Sequence, residues 1–234
     1  MFGDIADMVA ERLGFKVIRQ ALFRELQGTL GWDNLAELPI RPGTVIDVGV
    51  ADGTPELYAA FPDAHLVLVE PVEEFFAGIG ALLSTRAGVH LPIALGERED
   101  SLEMNVQLTD GAKSSFLTRT ALSATGEVPA RRSVAVRPLD AAVAEMALVS
   151  PVLLKIDVEG FELPVLRGAT ATLRRTDVVI IESSVAKRFE GAAGFEEVVG
   201  FMFAQGFRLR DIVRVSRHPG GGVRHMDLVF QRAT

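Results

Sequence analysis

The chain predicts an α/β fold built on a doubly wound, mostly parallel sheet, and three observations predict it. From Gly43 onward, short continuous runs of Val, Ile and Leu alternate with stretches of helical periodicity. Charge within those runs sits near their ends, the pattern of strands buried on both faces. A glycine-containing turn follows the first run directly, as it does where a ligand meets the edge of such a sheet.

The elements follow in order. Ile5, Met8, Val9 and Leu13, then Ile18, Leu22 and Leu26, repeat at helical spacing, and Pro39 and Pro42 close the segment, so residues 1–40 read as a helical extension preceding one domain over 41–234. That extension is a lid on the domain's edge, a surface through which two copies pair as a homodimer, or a membrane-surface helix. Strands are expected at Thr44 to Val48, His65 to Glu70, Val89 to Ala94, Val152 to Asp157 and Val178 to Glu182, with helices at Pro55 to Phe61, Val72 to Thr85, Leu163 to Leu173 and Phe195 to Gln205. Two alternating segments, Leu102 to Leu108 and Ser133 to Leu139, interrupt the rhythm and read as a β-hairpin-like insertion around a loop from Thr109 to Gly126. Phe207 to Val215 and Arg224 to Gln231 flank a glycine-rich turn that suits an antiparallel hairpin.

Composition narrows the function. The 234 residues carry 24 Lys and Arg against 31 Asp and Glu, a net charge of −7, which disfavours a nucleic-acid partner. The absence of cysteine excludes disulfides, thiolate metal sites and cysteine nucleophiles. Apolar runs end well short of the roughly 18 residues of a spanning helix. Asp4, Asp7 and Glu11 stand where a signal peptide would be basic and then apolar. The expectation is a cytoplasmic chain without a membrane span.

The turn after the first strand is Asp47-x-Gly49-x-Ala51-x-Gly53. Against the dinucleotide fingerprint, positions 49, 51 and 54 hold Gly, Ala and Thr, so two of three glycines are missing and a pyrophosphate fits poorly. Asp47 and Asp52 favour an ammonium instead, and S-adenosylmethionine carries an ammonium and no phosphate. Glu70, 21 residues after Gly49 and followed by Pro71, ends the next strand, where a carboxylate accepts ribose hydroxyls. In the fourth strand Lys155 and Asp157 share a face with Glu159 if the strand extends that far, and Lys155 needs a partner, Asp157 or Glu182. Those acids are expected at the carboxyl edge of the sheet, with Glu182 facing the substrate. Asp157 and Glu159 also suit capping of the next helix. His65 and His90 read as structural; His218 and His225 flank the glycine turn, and a base among them is a weaker expectation. No zincin spacing and no G-x-S-x-G elbow occurs.

Leu153 to Ala169, LLKIDVEGFELPVLRGA, with VIDVGVADGT, FPDAHLVLVEPVEEF and VRPLD at 136–140, resembles the FkbM family of S-adenosylmethionine-dependent methyltransferases from about Gly43 to the C-terminal DLVFQR. The turn departs from the family's usual D-x-G-A-x-x-G, with Val50 where Ala is common. The resemblance implies the class I methyltransferase fold, Rossmann-like, with a seven-stranded sheet whose last strand is antiparallel. It implies Asp47, Gly49 and Gly53 around the methionine part, with Ala51 and Asp52 in the same turn. Glu70 and Pro71 fall at the ribose, Ala94 and Leu95 at the adenine, and Asp157 and Glu159 near sulfonium and acceptor. The acceptor it implies is a hydroxyl of a sugar, glycolipid or polyketide-type natural product. The expected base is Asp157 or Glu159, with His225 behind, and the loop bearing Lys113, Ser114 and Ser115 is expected to close over the acceptor. A variant has Asp157 and Glu182 holding Mg²⁺. The competing readings are a nicotinamide-dependent oxidoreductase and an inactive cofactor-binding subunit.

Overall fold

The computed structural model of the chain describes residues 31–107 and 109–233. The chain divides into two compact units, Met1–Leu30 and Gly31–Thr234. The helices and the dimer surface expected over residues 1–30 lie outside the described residues. Residues 31–40, read as the end of the helical extension, form a 3₁₀ turn at Trp32–Glu37 that buries Leu35 and Leu38.

Seven strands form the main sheet in the order β3-β2-β1-β7-β8-β10-β9. Strands β1 (Thr44–Val48), β2 (His65–Val69), β3 (Gly88–Leu91), β7 (Val152–Ile156) and β8 (Val178–Ser184) are parallel. The last strand, β10 (Val223–Arg232), runs antiparallel to β8 and to β9 (Phe207–Arg217), which closes the edge. The expected C-terminal hairpin is therefore present, longer than its apolar pattern and irregular in register at three points.

Strand parity divides the buried side chains. Ile46, Val48, Val67, Val69, Leu154, Ile156, Val179 and Ile181 share one core with Val165 and Leu166 of α4 (Glu162–Arg167) and Val198 and Met202 of α6 (Phe195–Ala204). The opposite parity carries Asp47 and Lys155, and Tyr58 of α1 (Pro55–Ala60) reaches Asp47 there. Both faces are thus covered, the condition under which parallel strands read as unbroken apolar runs.

Four expectations shift in detail. The run Val89 to Ala94 splits at Pro92, which has no N–H to give a ladder: β3 stays in the main sheet, while β4 (Ala94–Leu95) joins a second sheet with β6 (Ala130–Arg137) and β5 (Asp100–Val106), the insertion. Val72 to Thr85 is a 3₁₀ turn at Glu73–Phe75 followed by α2 (Phe76–Leu83). Leu139 begins a short α3 (Leu139–Ala142) rather than ending a strand. Leu163 to Leu173 is divided at Gly168 into α4 and α5 (Thr170–Leu173), because a side chain at 168 would overlap the Gly96 carbonyl. Among the described residues no helix is long and apolar enough to cross a membrane.

Candidate active site

The carboxyl ends of β1, β2 and β7 meet at one glycine. Gly49, with φ +78°, donates its N–H to the Val69 carbonyl at 3.0 Å, and a Cβ on it would overlap the carbonyl oxygen of Asp157. Only glycine combines that dihedral with that approach. Ala51 also has a left-handed φ, +46°, which aims its N–H at Glu70 Oε2, 2.9 Å away. The Val72 N–H donates to the other oxygen of Glu70 at 2.8 Å. Burial pushes the Glu70 carboxyl up in pKa while these two amides pull it down. Each of its oxygens keeps a second lone pair for a ligand hydroxyl.

A narrow cleft opens beside this clamp. It has a volume of about 540 Å³, including its open mouth. Gly49, Ala51, Glu70 and Pro71 line it from β1 and β2, Asp157 and Glu159 from the turn after β7, and Ile93, Ala94, Leu95, Met104, Phe116 and Phe161 form its apolar walls. The rings of Phe116 and Phe161 pack 5.0 Å apart, joining the insertion loop to the turn after β7. Met104, Phe116 and Phe161 are functional-site residues that sequence reasoning missed. Met104 and Phe116 signalled only as apolar side chains in a segment read as hairpin and loop, whereas Phe161 lies within the Leu153–Ala169 motif without being singled out.

Asp157 keeps about a third of its side chain exposed, facing the cleft, with Lys155 Nζ 3.8 Å from Oδ2. Burial, then the Glu182 charge, raises its pKa to about 6 against the pull of Lys155. Lys155 has a closer partner than either acid expected for it: Asp47 Oδ1, at 3.0 Å. Burial opposes the Lys155 charge, but Asp47 and then Asp157 outweigh it and its pKa is raised. The pairing arises because β1 and β7 are neighbours with Asp47 opposite Lys155 in register. Asp47 also accepts from Tyr58 Oη at 2.6 Å and Thr54 Oγ1 at 3.2 Å, is wholly buried, and lies beneath the cleft rather than in its wall. Asp52 and Gly53 line a different groove, between α1 and α2.

Strand β7 ends at Ile156, so alternation does not carry Glu159 onto the face of Lys155. A left-handed turn does the work: Glu159 has φ +51° and Gly160 φ +97°. A non-glycine residue held there stores strain, of order 1–3 kcal/mol, commonly at functional sites. Neither Asp157 nor Glu159 caps the following helix, whose first turn has no side-chain cap. Glu159 Oε2 instead receives Arg188 at 2.5 Å and Arg119 at 3.5 Å, and burial, then Glu182, raises its pKa to about 7.

Several expected residues are engaged elsewhere. Glu182 is bound by Arg188, and Arg214 Nη2 lies 3.2 Å away, so both of its oxygens are engaged by arginine, and it does not line the cleft. His225 is buried beside Glu182 at 3.5 Å, and burial, then Arg188 and Arg214, lowers its pKa to about 3; it lies outside the cleft and is a poor base there. Ser115 is buried and donates to the Glu159 carbonyl at 2.7 Å, bracing the turn. Ser114 lines the cleft, whereas Lys113 points to the loop's other side and pairs with Asp110 at 2.6 Å. Among the described residues no group of three or more metal-binding side chains occurs. Arg188, Arg119 and Arg214, which organise the acidic edge, carried no motif at all.

The methyltransferase FkbM domain matches residues 47–209, more than two thirds of the chain. No curated protein matches the chain. Among solved structures it is similar to methyltransferase FkbM from Methylobacillus flagellatus KT, at 13% identity and TM-score 0.54, over 88% of this chain and 49% of that one. This chain thus spans about half the length of that protein. Fibrillarin from Aeropyrum pernix, solved with natively bound S-adenosyl-L-methionine, is 12% identical at TM-score 0.48, over 85% and 70% of the two chains. Precorrin-6y C5,15-methyltransferase from Geobacter metallireducens GS-15 is 10% identical at TM-score 0.47, over 93% and 90%. With its domain match running from the buried Asp47 through the cleft and the acidic edge into β9, the chain belongs to the FkbM family of S-adenosylmethionine-dependent methyltransferases.

Proposed function

We propose that this chain transfers a methyl group from S-adenosylmethionine to a hydroxyl of a small-molecule acceptor, a sugar, glycolipid or polyketide-type natural product. The observation that carries the proposal is Asp157: a carboxylate at the end of β7, exposed to an apolar slot, with one oxygen turned to Lys155 and the other uncommitted. The residues present fit the cofactor. Glu70 suits the ribose hydroxyls, Ile93, Ala94, Leu95, Met104 and Phe161 the faces of the adenine, and the backbone at Gly49 and Ala51 the amino-acid end. The cofactor, when bound, supplies a methyl group already activated by a positively charged sulfur.

The protein's share is therefore position and proton. An alcohol is a weak nucleophile at neutral pH, and a carboxylate within hydrogen-bond reach removes its proton as it reacts. Asp157, raised to about 6, is ionised at neutral pH yet more basic than an ordinary aspartate, so its oxygen accepts that proton. Lys155, anchored on Asp47, fixes the carboxylate's orientation. Glu159, bridged to Arg188 and Arg119 through Oε2, shapes the acceptor side. Phe116 and Phe161 exclude water from the slot, and holding two reacting groups near contact is worth several kcal/mol.

Calorimetric titration with S-adenosylmethionine, S-adenosylhomocysteine and NAD, followed by methyl transfer from labelled cofactor to sugar, glycolipid and polyketide acceptors, tests the reading. Micromolar binding of the first two ligands without NAD, and label on an acceptor oxygen, is expected. NAD binding alone would overturn it. Tight cofactor binding with no transfer to any hydroxyl acceptor would leave a binding subunit instead.

A further inference from the structure

The insertion loop has two sides. Gly111, Ala112, Ser114 and Phe116 face the slot, whereas Asp110 and Lys113 face a second cleft of about 960 Å³ between this loop and the β9–β10 turn. That cleft is strongly polar, and its cations are Lys113, Arg119, Arg217, His218 when protonated, and Arg224. Only two carboxylates line it, and both are engaged: Asp110 pairs with Lys113 at 2.6 Å, and Glu127 accepts from the Thr109 N–H at 3.1 Å. Arg119 is also committed, to Glu159 at 3.5 Å and to the Lys113 carbonyl at 2.5 Å.

Arg217 and Arg224 differ. Arg217 is exposed and Arg224 half-buried, and Arg224 Nε has no hydrogen-bond partner among the described residues. Three nitrogens in the walls, Nε of Arg119, Nε of Arg224 and Nε2 of His218, are buried without a hydrogen-bond partner. A buried donor left without an acceptor is unfavourable relative to a satisfied one. Clustered cations add repulsion, and Arg224 contributes to the fields that lower the pKa of both Arg119 and His225. A fold that gathers positive charge at one cleft and leaves its donors unmet is complementary to a negative ligand.

We propose that this second cleft is an oxyanion subsite, which binds a phosphate or carboxylate group carried by the methyl acceptor, with Arg224 and Arg217 as its principal cations. Planar guanidinium groups match either oxyanion with paired hydrogen bonds. Arg119 joins the two clefts, lining the second while touching Glu159 in the first. An acceptor held by its anionic group lies with its uncharged part toward Asp157, and binding energy from that remote group goes into orientation at the reacting oxygen. The acceptor's part in this inference rests on the methyltransferase reading.

The test is calorimetric titration of inorganic phosphate, and of acetate in parallel, into the full chain saturated with S-adenosylhomocysteine. Saturable binding of at least one ion is expected, weakened by added salt and weakened about tenfold or more in the Arg217→Gln, Arg224→Gln double variant, with S-adenosylhomocysteine affinity unchanged. The ion bound more tightly identifies the group. Arg217, exposed on its strand, supplies a single variant that leaves the core alone, and about threefold weakening is expected from Arg217→Gln. Binding of neither ion, or equal binding in the double variant, overturns the subsite while normal S-adenosylhomocysteine binding leaves the methyltransferase reading standing. Failure of the wild-type chain to bind S-adenosylhomocysteine overturns that reading and the acceptor's part with it.

Discussion

At the β1–β2 end of the sheet edge Glu70 is fixed by two backbone amides, whereas at the β7–β8 end Glu159 and Glu182 are fixed by the side chains of Arg119, Arg188 and Arg214. Backbone amides come with the turn itself, so that end is set by a few dihedral angles, chiefly those of Gly49 and Ala51. A side-chain network is set by several independent residues, each open to replacement. The first end suits a constant ligand and the second a variable one. Under the proposed function the first holds the cofactor and the second the acceptor.

The largest expected effect separates the two ends by function. Asp157→Asn should lower turnover by about 10²–10⁴-fold while S-adenosylhomocysteine affinity stays within about threefold. In the wild type, turnover should rise with pH through about 6 as Asp157 loses its proton, and the variant should lack that inflection. A parallel loss of cofactor affinity would merge the two ends and break the comparison.

The next effect attacks the dihedral-set end. Gly49→Ala forces a Cβ onto the Asp157 carbonyl at a positive φ, and should cost roughly 2–4 kcal/mol of stability and most cofactor binding. Urea unfolding and S-adenosylhomocysteine titration read both. Glu70→Gln is milder. It keeps one oxygen for an amide but loses the charge and turns an NH₂ toward another backbone donor. About tenfold weaker cofactor binding is expected, with turnover at saturation nearly unchanged.

The same contrast explains what the sequence made legible. Strand positions were readable because burial on both faces writes a continuous apolar run, and Glu70 and Asp157 stood out as charges closing such runs. The second partner in each contact was not. Asp47 meets Lys155 through strand order, 108 residues apart, and Arg188 reaches Glu159 only because the chain after β8 returns over the turn after β7. Glu159 itself was expected from strand alternation and reaches the cleft by a left-handed turn that a period-2 pattern does not encode. His225 and Glu182 looked chemically apt, but burial among three arginines gives one a proton affinity too low for a base and ties both oxygens of the other to arginine, away from the cleft.

The smallest expected effect concerns stability rather than rate, and it tests whether the acceptor end is held at a cost. Burial and the Glu182 charge raise the Glu159 carboxyl to about 7, above its ordinary value of 4.5, even with Arg188 and Arg119 attached. Between those two values the folded chain keeps a proton that the unfolded chain has released. Stability should therefore fall as pH rises from about 4.5 to 7 and level off above that. Glu159→Gln has no proton to lose, so its unfolding temperature should decline less, by roughly 5–10 °C between pH 5 and 7.5. Glu70 offers the comparison: burial raises its carboxyl too, but its two backbone amides oppose that rise, so Glu70→Gln should flatten the decline less than Glu159→Gln. An equal flattening in Glu70→Gln would mean that both ends carry the same electrostatic burden. The difference between backbone and side-chain anchoring would then be one of geometry alone.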